Sequence, residues 1–176
     1  KFLIPVKMRF KKWKPYLPPA VIGGQNLELL FQGLCIEATG ETDFDKFPIP
    51  YRAVATDLST GRAVILGSGS LSTAMRASMS VPGIFPPVEL DGKPLSDGGM
   101  AANFPVRIAQ SLGAEVIIGV DISSPLRKKE ELGNLLTRID QVTSLLTNGN
   151  KEEDMDALRP QDILLVPELS DISFSD

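Results

Sequence analysis

With 176 residues, 43% of them apolar, the chain is long enough to bury a core and falls within the range of one domain. A net charge of −4 argues against a nucleic-acid binder, and the single Cys35 excludes an intrachain disulfide and a cysteine-based metal site. Histidine is absent, which removes the commonest general base and metal ligand; any hydrolytic mechanism in these residues needs a carboxylate, a lysine or a tyrosine as its base.

The N-terminal stretch holds Lys1, Lys7, Arg9, Lys11, Lys12 and Lys14 with no acid among them, and Phe10, Trp13 and Tyr16 interleaved. That mixture suits an anionic lipid surface, and it equally suits a solvated basic segment. Residues 2–6 are too short for a signal-peptide core, and no apolar run approaches the ~20 residues that cross a bilayer. The compartment stays open between the cytoplasm and export, including a link to the outer membrane.

Proline and glycine in residues 1–24 predict an extended lead-in with little regular structure. The spacing of Leu27, Leu29, Leu30, Phe31 and Leu34 predicts a short helix closed near Gly33. Residues 51–57 and 63–66 read as a hairpin around Ser59-Thr60-Gly61, and 71–79 as a helix behind polar cap candidates at 68–70. Two short strands follow, punctuated by Asp91-Gly92, the second running into Asp97. Pro105 is placed to open a helix that ends at Gly113. Residues 115–122 read as a strand covered on both faces, and 162–167 as a last buried strand. Between them, 130–146 is amphipathic, with Leu132, Leu135, Leu136, Ile139, Val142, Leu145 and Leu146 assigned to the core. This alternation predicts an α/β sheet layered by helices, with no linker that splits residues 1–176 into two domains.

Gly67-Ser68-Gly69-Ser70 lacks the third glycine of a dinucleotide fingerprint, and no P-loop is present. Asp91, Asp97 and Asp121 at strand ends could in principle gather around Mg²⁺, the basis of a metal-dependent phosphatase as one alternative. Asp97 has the sharper setting, at the end of a short strand, where sheets open into pockets. Gly98 and Gly99 after it permit backbone conformations closed to other residues and leave room for a neighbouring segment. A structural turn explains the same letters.

Asp97-Gly98-Gly99, with Asn103 and Pro105 at their offsets, resembles the D-G-[GA] block of the patatin-like phospholipases, bacterial members above all. Residues 76–87, R-A-S-M-S-V-P-G-I-F-P-P, resemble the family's R-A-S-x-S-x-P-x-x-F-x-P segment. Residues 51–60 resemble its A-T-D-L-x-T-G hairpin, and 113–122 its L-G-A-D-x-V-I-A-V-D strand. The resemblance runs over 17–122. It implies a three-layer α/β/α sandwich, incomplete in this chain, and a lipid acyl hydrolase of phospholipase A or lysophospholipase type. It further implies a Ser-Asp dyad with Asp97 as general base, Gly98 and Gly99 as its supporting loop, and no cofactor or metal. The substrate would be a phospholipid or other lipid ester met at a membrane surface; a homodimer is among the open oligomeric states. Met100, Phe104, Val81, Ile84 and Phe85 are candidates for an acyl pocket, or plain core.

The chain departs from the family pattern in one respect. No G-x-S-x-G occurs in it, and no glycine-rich oxyanion loop. The nucleophile is therefore expected outside these residues, which read as the C-terminal part of a catalytic domain and are expected to be inactive by themselves. The other alternative is a non-catalytic lipid- or protein-binding member of the same fold.

Overall fold

The structure, a computed structural model, describes residues 9–11, 14–16, 24–123, 126–133 and 135–168. Most of the basic, aromatic-studded N-terminal stretch, and all of its side chains, lie outside the described residues. The chain divides into two compact units, 1–98 and 99–176.

In the first unit, β1 (Arg9–Lys11) pairs antiparallel with β2 (Lys14–Tyr16), within the stretch where the sequence predicted an extended lead-in with little regular structure. Strands of three residues are too short to show the alternation by which sequence reveals them. Helix α1 (Gln25–Leu34) forms where expected but buries none of its residues, and Leu29, Leu30 and Leu34 are exposed.

The main sheet contains β3 (Ala53–Asp57), β4 (Ala63–Leu66), β5 (Val88–Leu90) and β6 (Lys93–Asp97), all antiparallel, in the order β4-β3-β6-β5. Local chemistry sets both hairpin turns. The Asp57 carboxylate accepts the Ser59 amide at 2.8 Å, its carbonyl accepts the amides of Thr60 and Gly61, and Gly61 supplies a φ of 70°. Asp91 and Gly92 both have positive φ, 51° and 73°, the pairing that a tight hairpin requires. Helix α2 (Leu71–Ser78) starts at Ser70, whose hydroxyl accepts the Thr73 amide. Its Ala74 and Ala77 pack with Ala53 and Ala55 of β3, small against small, so the helix lies close to the sheet; Phe44, Leu66 and Leu95 complete this core.

The second unit contains α3 (Gly99–Ala102), α4 (Val106–Ser111), β7 (Ile118–Val120), α5 (Leu135–Met155) and β8 (Ile163–Leu165). Pro105 precedes α4 as expected, and Gly113, with a φ of 91°, ends that turn. The two strands are shorter than predicted and pair in parallel, Ile118 opposite Ile163 and Val120 opposite Leu165. Only one face is covered: Gly119 lies against Phe104, which packs with Val106 and Ile117, while Ile118 is 64% exposed and Ile163 48%. The expectation of two covered faces thus fails, because no described element packs on the second. The amphipathic helix begins later and runs further than predicted, and Val142, Leu145 and Leu146 stay exposed, so this part of the stripe is not core. The mixture of helices and sheet agrees with the expected α/β class.

Candidate active site

Strand β6 delivers Asp97 at its last position, half-buried and opposite Ala55 of β3. Its main chain is tied on both sides. The Asp97 amide donates to the Ser80 carbonyl at 3.0 Å, and its carbonyl accepts the Thr56 hydroxyl at 2.7 Å. The Gly98 amide then donates to the Ser78 carbonyl at 3.1 Å. A Cβ at Gly98 would sit 2.1 Å from the Val54 carbonyl oxygen, so this glycine is required by the closeness of β3. Neither Gly98 nor Gly99 has a positive φ, which corrects the conformational reason expected from the sequence.

The R-A-S-M-S segment holds this corner. The Ser78 hydroxyl donates to the Val54 carbonyl at 2.6 Å, and Ser96 donates to the Ser80 carbonyl. Arg76 is 4% exposed. Its Nη1 donates to the Ser80 hydroxyl, its Nη2 to the Pro86 carbonyl at 3.3 Å, and its guanidinium lies 5.0 Å from the centre of the Phe85 ring. Burial pulls the Arg76 pKa below its usual value, and the charge of Glu28 partly restores it. The sequence reading used this segment only as part of the resemblance and gave Arg76 no role. Its neighbours Ser80, Phe85, Pro86 and Gly24 come from the end of α2, the loop after it and the start of α1, so no apolar periodicity marks it as buried.

In the second unit, the carbonyls of Gly99 and Met100 accept the Asn150 amide at 3.3 and 2.7 Å. Nothing in the sequence pattern singles out Asn150. Its Oδ1 is buried with no partner among the described residues.

The acyl-pocket candidates are divided between roles. Ile84 is buried in the first unit with Phe85 beside Arg76, and Phe104 fills the core of the second. Of the three aspartates of the metal alternative, Asp91 and Asp121 have other settings than Asp97. Asp91 occupies a hairpin turn at the other end of β6 from Asp97. The Asp121 carboxylate accepts Lys151 Nζ at 2.9 Å and both the amide and the hydroxyl of Ser123. Burial pushes the Asp121 carboxyl up, but these bonds outweigh it and hold the pKa below the usual carboxylate value. Among the described residues no three acidic side chains gather as a metal site.

A family profile described as patatin-like phospholipase matches residues 4–109, which include the R-A-S-M-S segment, Asp97 and the glycines after it. The chain belongs to the patatin-like phospholipase family. The stretch 113–122, which the sequence reading added to the resemblance, lies beyond that match. An uncharacterized NTE family protein of Mycobacterium tuberculosis is 38% identical to this patatin-like chain over 87 residues, covering 49% of the chain and 24% of the relative. Patatin-like phospholipase domain-containing protein 7 of Mus musculus is 40% identical over 88 residues, 49% of this chain and 6% of that protein. Patatin-like phospholipase domain-containing protein 6 of Homo sapiens is 40% identical over 78 residues, 43% of this chain and 6% of that protein. The alignments thus span a quarter or less of each of these curated relatives.

Proposed function

We propose that this patatin-like chain supplies the proton-handling part of a lipid acyl hydrolase of phospholipase A or lysophospholipase type, with Asp97 as general base. The observation that supports this is the half-buried Asp97 at the strand end, its amide and carbonyl both fixed by neighbours, inside the family-matched region. The main chain that carries this carboxylate is fixed before substrate arrives, which favours its use as a positioned base.

In this reading a serine from outside these 176 residues attacks the ester carbonyl. As the serine oxygen bonds to the carbonyl carbon, its proton passes to Asp97. When the bond to the alcohol breaks, that proton passes on to the leaving oxygen. Water then enters by the same proton transfers, and the fatty acid is released. The family match crosses the junction of the two units, which supports reading residues 1–176 as one partial patatin-like domain.

The test is Asp97→Asn in the whole protein. Ester turnover is expected to fall by about 10²–10⁴-fold, the scale of losing a positioned general base. Turnover at the unsubstituted rate would overturn the assignment. The missing G-x-S-x-G favours a second reading, a non-catalytic lipid-binding member. A fluorophosphonate probe separates the two, because labelling requires an activated serine.

A further inference from the structure

Thr56 of β3 and Ser96 of β6 stand opposite each other in the sheet, and both are buried, 3% and 1% exposed. A buried hydroxyl without a partner costs free energy, so each member of such a pair needs an acceptor. Both acceptors lie at the same place in the fold. The Thr56 hydroxyl donates to the Asp97 carbonyl at 2.7 Å. The Ser96 hydroxyl donates to the Ser80 carbonyl, the same oxygen that accepts the Asp97 amide at 3.0 Å.

Asp97 is the last residue of β6 with a partner on β3. Where strand pairing stops, main-chain groups have to find other partners. Here the Asp97 amide turns to Ser80 and its carbonyl to a side chain. The peptide planes on both sides of the Asp97 Cα are thereby fixed, and with them the direction in which the carboxylate leaves the chain. A valine at 56 and an alanine at 96 would fill this space with apolar atoms. They would take one donor from the Asp97 carbonyl and one from the Ser80 carbonyl.

We propose that Thr56 and Ser96 are positioning residues for the general base, their hydroxyls setting the main chain of Asp97. Both are buried, so they act through Asp97 and not on the substrate. The proposal rests on the hydrolase reading above and deepens it, because it assigns part of the rate to two side chains of the sheet interior.

Thr56 gives the sharper test, since its bond goes to Asp97 directly and Thr56→Val exchanges the hydroxyl for a methyl group. In the whole protein, Thr56→Val is expected to lower kcat for a p-nitrophenyl ester by about tenfold to a hundredfold, the scale of a reacting group misplaced by up to about 1 Å, with KM within about twofold. Thr56→Ser keeps the hydroxyl and is expected to stay within about threefold of the unsubstituted rate. Ser96→Ala, one bond further from Asp97, is expected to lower kcat by about threefold to tenfold. Circular dichroism at the assay temperature establishes that each variant is folded; if Thr56→Val is not, Ser96→Ala carries the test by the same criteria.

The same substitution in an Asp97→Asn background separates positioning from general loosening. A residue that acts through the carboxylate then has nothing left to position, so the residual turnover is expected to change by less than about twofold. An unchanged kcat, a serine variant as slow as the valine one, or an equal loss on top of Asp97→Asn would overturn the positioning role. Asp97→Asn at the unsubstituted rate would overturn the hydrolase reading instead, and that result is read from the Asp97 variant alone.

Discussion

At Gly98 a single methyl group is the difference between a corner that closes and one that does not. The Val54 carbonyl oxygen would stand 2.1 Å from a Cβ, and it is already held by the Ser78 hydroxyl at 2.6 Å, so it has little freedom to retreat. Gly98→Ala is expected to lower stability by about 1–3 kcal/mol, the range of overpacking, and to displace Asp97 beside it. Urea denaturation checks this; an unchanged midpoint would show that β3 yields. The letters Asp97-Gly98-Gly99 were legible in the sequence, but the reason for the glycine was not. It depends on a strand far back in the chain, and spacing carries no record of which backbone will arrive opposite. Arg76 was hidden for the same reason: its burial comes from Gly24, Phe85 and Pro86, which reach it only in the folded chain.

Among the elements, turns and caps were the most legible. Asp57 with Gly61, Asp91 with Gly92, and Ser70 before α2 each act on backbone within a few residues, so their chemistry is written locally. Asp162, just before β8, closes the second unit in a way no local pattern announces. Its carboxylate accepts the Arg159 side chain and amide and, through Oδ1, the Ile117 amide at 2.9 Å. The Arg159 side chain contributes most, and the carboxyl is held at about 2, below the ordinary 3.8. The unfolded chain therefore takes up this proton first. Stability from Asp162 is present above about pH 4 and lost as pH falls through about 2. Asp162→Asn is expected to lower stability at neutral pH and to flatten its decline across that acid window. Denaturation midpoints against pH check this, and an equal acid decline in the variant would sink it.

For the whole molecule, the decisive fact is how small a share of the relatives' length these residues cover, 24% in the mycobacterial protein. The chain carries a family-matched Asp97 but no G-x-S-x-G. Residues 1–176 by themselves are therefore expected not to turn over a p-nitrophenyl ester. Turnover that Asp97→Asn abolishes would overturn a nucleophile outside them. The sequence by itself determined the α/β class, the hairpins, the starts of α1, α2 and α4 and the D-G-G corner, because each rests on residues close together in the chain. Tertiary structure decided which faces are covered. Residues 115–122 read as doubly buried, yet Ile118 remains 64% exposed, because apolar letters record a tendency to be covered and only the packed chain shows what covers them. It also decided that Gly98 is there for space and that Arg76 is a buried cation, since both follow from segments that meet only when the chain has folded.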